Sequence, residues 1–250
     1  MNTCYNPFSL EGKHMLITGA SSGIGKDIAK ECSKMGATLI ITGRNEDRLS
    51  ETLVSLEGSG HKMIVADLNE SIGRNFLLEN IGAIDGLVLA AGIVEMLPVL
   101  FATNSKFEKI YKTNLFSPIE LLRLIVKRKL YNNGLSVVVI DSIAGTDSIA
   151  TANGIYGSGK AALKSFMKYF ALETAKKGIR VNTVSPGLIL TPMHTNGTIS
   201  EQELKMAVEK VPIKRWGTGK DIAMAAIYLL SSASSYITGA DIRIDGGVSI

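Results

Sequence analysis

Short runs of consecutive apolar residues alternate along this chain with longer segments whose apolar residues recur at helical spacing. The short runs are rich in β-branched residues and are bounded by glycine or polar residues, which is typical of buried parallel strands. The alternation predicts an α/β fold, a doubly wound parallel sheet of about seven strands with helices on both faces. The predicted strands are 14–18, 37–42, 61–66, 86–90, 136–140, 179–184 and 240–244.

Helical spacing predicts helices over residues 26–35, 107–129, 156–177 and 221–230. Apolar residues within 161–175 point in almost every direction around their helix, which predicts that it is covered on two sides. The sheet would cover one side and a partner subunit the other. No repeat, low-complexity segment or Pro/Gly-rich linker interrupts the pattern, so we expect residues 1–250 to form a single domain.

Composition excludes several classes of function. The chain carries 27 Lys plus Arg against 23 Asp plus Glu with no long block of one sign, which argues against nucleic-acid binding. Its apolar runs fall well short of a membrane span of about 18 residues, and the first ten residues do not resemble a signal peptide. Cys4 and Cys32 lack metal-ligand spacing, and the three histidines are isolated from one another. We therefore expect a cytoplasmic protein without a metal site.

A glycine-rich turn, GASSGIG at 19–25, joins the first strand to the first helix. At this place a phosphate can meet the free N–H groups and the positive end of the helix dipole, and glycines allow its close approach. The spacing is not the common G-x-G-x-x-G, and a similar turn can occur in an ordinary strand-helix connection. Its position after the first strand favours a dinucleotide site made by Gly19, Ser21, Ser22, Gly23, Ile24 and Gly25.

The residue after the second strand indicates which dinucleotide binds. NAD is usually held there by an acidic residue on the ribose 2′-hydroxyl. This chain has Arg44 instead, and a guanidinium suits the 2′-phosphate of NADP. The alternative is a solvated arginine at the start of the next helix. We predict NADP(H) as the cofactor.

Tyr156 and Lys160 are four residues apart in a predicted helix, which places them on one face. An ammonium near a phenol favours the phenolate, so the phenol could exchange a proton at physiological pH. The same spacing is common among surface pairs. The pair therefore indicates a catalytic role only in combination with other motifs of the chain.

Together with the glycine turn, this pair makes the chain resemble the short-chain dehydrogenase/reductase family from about residue 10 to residue 247. Residues 18–25 are similar to its cofactor turn, and Tyr156 and Lys160 match its Tyr-x-x-x-Lys motif. Ser142, fourteen residues before the tyrosine, matches its catalytic serine, and Asn114 matches the asparagine of its tetrad. Further similarity to the Rossmann-type cofactor contacts and C-terminal signatures of the family lies in Asp67, Leu68, Pro186, Gly187, Ile189, Thr191 and the segments 215–217 and 242–247.

The resemblance implies hydride transfer between a nicotinamide and a small-molecule carbonyl substrate. Tyr156 would exchange the proton, Ser142 would hydrogen-bond the carbonyl oxygen, Lys160 would bind ribose hydroxyls, and Asn114 would hold a relay water. From the residues alone, Ser142 and Asn114 are also compatible with a strand-end cap and a helix-bend residue. We interpret Asp141 as a loop residue rather than a further proton carrier.

One departure from the family pattern follows the fourth strand. Many members carry Asn-Asn-Ala-Gly where this chain has LAAG at 89–92. The change removes side-chain amides that could brace the backbone, so the local hydrogen bonding is in question. Ala91 and Gly92 still leave room for a cofactor ribose.

The chain is most similar in appearance to the 3-oxoacyl-carrier-protein reductases of the family, and basic residues at 127–129 could meet an acidic carrier protein. The segment 171–173 lacks an arginine that such reductases often have. A sugar, polyol, steroid or small ketone therefore remains an alternative substrate, and a non-catalytic NADP(H)-binding module is a second class of function. The resemblance implies a homotetramer or homodimer. A flap over the substrate is expected from Met193 and His194 to Val211, although His194 also fits a solvated loop.

Overall fold

The computed structural model describes residues 5–191 and 201–250. Within them, seven parallel strands form a sheet in the order β3-β2-β1-β4-β5-β6-β7. Chain order reverses between β1 and β4, and ligands of such sheets bind in the crevice at that point, beyond the carboxyl ends of the strands. The strands are β1 His14–Thr18, β2 Thr38–Gly43, β3 Lys62–Val65, β4 Ile84–Leu89, β5 Tyr131–Ile140, β6 Arg180–Pro186 and β7 Asp241–Ile244. The predicted doubly wound α/β fold is confirmed.

Helices cover both faces of the sheet because successive strand residues point to opposite sides. In β1, Met15 and Ile17 belong to the apolar core under α1 and α8, whereas Leu16 belongs to the core under α3, α5 and α6. All three side chains are fully buried. The helices are α1 Gly23–Lys34, α2 Glu46–Val54, α3 Ser71–Asn80, α4 Asn104–Tyr111, α5 Ser117–Lys127, α6 Gly154–Thr174, α7 Glu201–Glu209 and α8 Gly219–Leu230.

The prediction of a single regular helix over residues 107–129 is wrong for the central residues of that segment. A π-helical turn, Lys112–Phe116, separates α4 from α5, and Pro118 lies in the first turn of α5. A proline ring clashes with the carbonyl four residues earlier in a regular α-helix and has no N–H to donate to it. The wider turn accommodates Pro118 and leaves Asn114 only 1% exposed.

The helix α6 is covered by the described chain on one side only. Leu163, Met167 and Ala171 are buried against the sheet. The opposite side leaves Tyr169 and Leu172 63% and 76% exposed. The helical segment continues as a 3₁₀ turn and stops at Gly178, whose φ of 72° is left-handed, so the predicted stop is confirmed.

No helix among the described residues is long and apolar enough to cross a bilayer. The same residues contain no group of three or more His, Cys, Asp or Glu side chains placed to bind a metal ion. Cys32 is buried with a free thiol. The predicted flap over the substrate begins at Met193 and His194, which lie outside the described residues.

Candidate active site

A cavity of about 580 Å³ opens at the carboxyl ends of the strands, around the reversal between β1 and β4. Of the residues predicted to be catalytic, Ser142, Tyr156 and Lys160 line this cavity, and Asn114 does not. Every residue predicted to bind the cofactor lines it: Gly19, Ser21, Ser22, Gly23, Ile24, Gly25, Arg44, Asp67, Leu68, Ala91, Gly92, Tyr156, Lys160, Pro186, Gly187, Ile189 and Thr191. Residues up to 172 positions apart in the chain thus share one cleft.

Two positions of the glycine turn require glycine because the backbone packs too closely there for a side chain. Gly19 has a φ of +66°, and a Cβ there would lie 2.7 Å from the Ala91 nitrogen. A Cβ on Gly25 would clash with the carbonyl of Gly19. The helix α1 begins just after Ser22, whose side chain makes no capping hydrogen bond. The free N–H groups and dipole of this helix end fit the pyrophosphate of a dinucleotide.

The backbone after β4 is braced by side chains from two other elements. The Thr18 hydroxyl accepts hydrogen bonds from the backbone N–H of Ala90 and of Ala91, at 3.1 and 3.3 Å. The Asn114 amide accepts from the Ile93 N–H at 2.9 Å and donates to the Ile93 carbonyl at 2.8 Å. These bonds supply the support that the missing asparagine side chains left in question. Sequence reasoning missed this role of Thr18, although a polar residue ending an apolar strand was a signal.

The start of α6 holds Tyr156 and Lys160 against the loop that carries Ser142. The Lys160 ammonium lies 5.9 Å from the centre of the Tyr156 ring and donates to the Ile140 carbonyl at 2.8 Å. Its side chain is buried, with the residue only 5% exposed. The Ser142 hydroxyl oxygen accepts from the Ala144 N–H at 3.1 Å. A hydroxyl, a phenol and an ammonium therefore meet at one wall of the cavity.

Two arginines line the opposite end of the cavity. Arg44 follows β2, and Arg48 lies in the first turn of α2, where its backbone N–H donates to the Asn45 side chain at 2.9 Å. A guanidinium suits a phosphate, which accepts several charge-assisted hydrogen bonds. Sequence reasoning found Arg44 and missed Arg48, which helical spacing could not have indicated because Arg44 precedes the Asn45 cap of α2.

Asp141 lies in the loop after β5, as the sequence predicted, but it is a buried residue. It is only 3% exposed, and its carboxylate faces Lys164 at 3.8 Å. Burial raises the pKa of Asp141 from 3.8 to about 6, opposed by the ammonium groups of Lys160 and Lys164. No sequence pattern indicates this burial, because it depends on how α6 packs over the end of β5.

Comparison with known proteins agrees with this architecture. The family model described as enoyl-(acyl carrier protein) reductase matches residues 19–249. The chain is 34% identical to the 3-oxoacyl-acyl-carrier-protein reductase FabG of Rickettsia conorii, over 96% of this chain and 98% of that one. It is 33% identical to a tropinone reductase homolog of Arabidopsis thaliana, over 97% and 92%. Its fold is similar to that of RhlG of Pseudomonas aeruginosa in an NADP active-site complex, with a TM-score of 0.90, 29% identity and coverage of 99% and 100%.

A cleft of this kind at the reversal of a doubly wound sheet, with a phenol and an ammonium at one wall, defines an NAD(P)-dependent oxidoreductase. The family match and the relatives show which family of oxidoreductases this is. The chain belongs to the short-chain dehydrogenase/reductase family, as its sequence motifs predicted.

Proposed function

We propose that the protein reduces a carbonyl group with NADPH and that its substrate is a 3-oxoacyl thioester. The observation that carries the proposal is the single cavity in which the glycine turn, Arg44, Ser142, Tyr156 and Lys160 meet. The named activity of the Rickettsia relative supports the substrate class. The NADP complex of RhlG supports the cofactor.

A bound nicotinamide supplies the hydride to the carbonyl carbon. The Tyr156 hydroxyl donates its proton to the carbonyl oxygen, so the carbonyl gains one hydride and one proton and becomes an alcohol. The Ser142 hydroxyl donates a hydrogen bond to the same oxygen as negative charge develops on it. The Lys160 ammonium stabilises the phenolate that Tyr156 leaves behind.

In this proposal Asn114 acts although it does not line the cavity. Its amide is fully buried and clamps the Ile93 backbone through both of its polar atoms. Each of those atoms can form a further hydrogen bond. We propose that this remaining capacity holds the water that relays a proton to Lys160.

Exposed apolar side chains in the loops after β4 and β5 favour an acyl chain. Val99, Leu100 and Phe101 follow β4 and are 71%, 92% and 65% exposed, and Ile149 in the loop after β5 is 84% exposed. Val99 lies against the start of α6, because a Cβ on Gly154 would be 3.3 Å from it. Apolar surface next to a few polar groups is typical of a site for a mostly apolar ligand.

The basic residues 127–129 lie at the other end of the sheet. They precede β5, which runs for ten residues before it reaches the cavity. Because β5 carries a register shift, it runs beside only the six residues of β4, a length of about 20 Å. A carrier protein bound there would therefore dock far from Tyr156 of the same subunit, and the thioester proposal does not depend on this cluster.

Acetoacetyl thioester, incubated with NADPH and the protein, is expected to be reduced with a higher kcat/KM than sugars, keto steroids or small ketones. The measurement is the loss of NADPH absorbance across that panel, and polyols, which lack a carbonyl group, are tested in the oxidative direction by the gain of NADPH absorbance from NADP⁺. Turnover of other ketones without turnover of the thioester would reject the lipid substrate and keep the reductase. A protein inert toward the whole panel would favour the non-catalytic NADP(H)-binding module.

NADPH is expected to give a higher kcat/KM than NADH. The Arg44→Ala variant should lose about tenfold to a hundredfold in kcat/KM with NADPH, the usual effect of losing a charge-assisted hydrogen bond, and should change little with NADH. Arg123→Ala is the matched control, because Arg123 pairs with Glu120 outside the cavity. A preference of the wild type for NADH would reject the assignment of the cofactor.

We also propose that the chain forms a homotetramer or homodimer through α6 and the C-terminal strand. The exposed apolar residues Phe166, Tyr169 and Leu172 of α6 support this arrangement. A second copy packed on them would supply the two-sided cover that the apolar pattern of the helix predicts.

A further inference from the structure

Lys164 is a buried cation of α6 for which the mechanism above has no use. It lies one helical turn after Lys160, does not line the cavity and is only 6% exposed. Lysines are almost never this buried unless the ammonium is paired, because removing the charge from water is unfavourable. The partners of the ammonium therefore indicate its role.

Two partners of the ammonium come from the loop that follows Ser142. The Lys164 ammonium donates to the Thr146 hydroxyl at 2.8 Å and to the Asp147 carboxylate at 3.0 Å. The Thr146 hydroxyl in turn donates to the same Asp147 oxygen at 2.6 Å. Both loop residues are thus bonded to one point on α6.

The other partners are fixed to the sheet. The Asp241 carboxylate of β7 lies 3.0 Å from the Lys164 ammonium, and Asp141, at the end of β5, lies at 3.8 Å. The Asp241 carboxylate also accepts hydrogen bonds from the Thr183 and Ser185 hydroxyls of β6, at 2.6 and 2.7 Å. Because these strands hold Asp241, the ammonium is an anchor for the loop rather than a group that moves with it.

The anchored end of the loop is bonded back to the residue after Ser142. The backbone N–H groups of Asp147 and Ser148 both donate to the Ile143 carbonyl at 2.9 Å. The Ala144 N–H donates to the Ser142 hydroxyl oxygen at 3.1 Å, which leaves the hydroxyl proton for a substrate carbonyl. Backbone bonds to β6 already hold the chain on either side of Ser142, so the loop adds the orientation of the hydroxyl.

The same loop packs on α6 directly after Tyr156. Gly145 has a φ of +88°, and a Cβ there would clash with the Gly157 carbonyl, so the two backbones are in contact. Seven residues, about two helical turns, separate Gly157 from Lys164. The loop is therefore held on α6 at two places, one beside Tyr156 and one at Lys164.

We propose that Lys164 is a positioning residue that holds the loop 142–148 on α6 and thereby orients the Ser142 hydroxyl toward the carbonyl that Tyr156 protonates. The proposal rests on the proposed function, in which Ser142 donates to that carbonyl. Without the anchor the loop shifts, and the Ala144 N–H no longer orients the hydroxyl. A misplacement of about 1 Å at a reacting group costs about a hundredfold in rate.

Two variants remove the anchor. Lys164→Met removes the cation, and the double variant Thr146→Val/Asp147→Ala removes the loop side alone, which leaves Lys164 paired with Asp241. Each should lower kcat/KM about tenfold to a hundredfold through kcat, while affinity for NADPH stays within about twofold. If Lys164→Met does not fold, the double variant carries the test, because it leaves no buried charge alone.

A double-mutant cycle with Ser142→Ala separates positioning from damage to the fold. If Lys164 acts through the Ser142 hydroxyl, removing the anchor in the Ser142→Ala background should lower kcat/KM by less than about threefold. General damage lowers kcat/KM by the same factor in both backgrounds. Arg180→Met is the matched control, because the partly buried Arg180 binds backbone carbonyls at the end of β6 away from the cavity. It should lower stability and leave kcat/KM within about twofold.

Hydrogen exchange of the loop gives a measurement that does not depend on turnover. In peptides that contain residues 143–148, the Asp147 and Ser148 amides should exchange at least about tenfold faster in both anchor variants, and as in the wild type in Arg180→Met. An equal loss of kcat/KM in the two backgrounds, or an unchanged exchange of the loop, would overturn the inference. A wild type that turns over no carbonyl would overturn the proposed function, and the exchange would then decide on its own whether Lys164 holds the loop.

Discussion

Replacing Tyr156 by phenylalanine is expected to lower kcat/KM by about two to four orders of magnitude, the range that a positioned general acid contributes. The variant keeps the ring that faces Lys160 and loses only the hydroxyl that donates the proton. Affinity for NADPH should stay nearly unchanged, because the glycine turn and Arg44 lie at other walls of the cavity. Steady-state kinetics and fluorescence titration with NADPH measure the two effects.

Tyr5→Phe is the matched control, since Tyr5 lies outside the cavity and outside the proposed subunit interface and is 88% exposed. It should retain the kcat/KM of the wild type. If Tyr156→Phe remained within about tenfold of the wild type, the phenol would not be the general acid. If the wild type and Tyr156→Phe were equally inert while both bound NADPH, the cavity would belong to a binding module.

Asp141→Asn is expected to stabilise the protein. Burial raises the pKa of this carboxyl from 3.8 to about 6, so the folded protein binds its proton more tightly than the unfolded chain does. The ionised group therefore reduces stability progressively as pH rises from about 4 to 6, and this loss is complete above that window. A pKa difference of about two pH units corresponds to about 3 kcal/mol. Unpaired amide groups of the new asparagine offset part of this gain.

The measurement is the free energy of unfolding in urea at about pH 8 and at about pH 4. Asp141→Asn should exceed the wild type by up to about 3 kcal/mol at the higher pH, and the difference should vanish at the lower one. Asp47→Asn, an exposed aspartate in the first turn of α2, should show no such dependence. If Asp141→Asn were less stable than the wild type at about pH 8, the ionised carboxylate would be a stabilising group and the prediction would be wrong.

The glycine turn and the Tyr156–Lys160 pair could be predicted from the sequence because each is a local pattern. A short apolar run specifies a strand, the glycines specify the turn that follows it, and four-residue spacing specifies one helix face. The ends of such elements are less certain. The π-helical turn is an example. Pro118 indicates that a regular helix is interrupted nearby, but the sequence does not show in which direction the Asn114 side chain then points.

Three features of the site depend on contacts between distant parts of the chain. The Thr18 bonds to Ala90 and Ala91 span more than 70 residues. Arg48 reaches the cavity only because α2 begins where it does after β2. Asp141 is buried because α6 covers the end of β5 and β7 brings Asp241 to Lys164. These distances cannot be derived from the composition or from the hydrophobic periodicity of the chain.

The sequence by itself determined the α/β class and the place of the dinucleotide turn, since local hydrophobic period and turn chemistry specify them, and its resemblance to a known family indicated the residues of the candidate reaction centre. Only the tertiary structure decided that Asp141 is buried and that Lys164 faces it. The reason is physical: burial and electrostatic coupling depend on distances through space, and the packing of α6 on the sheet sets those distances.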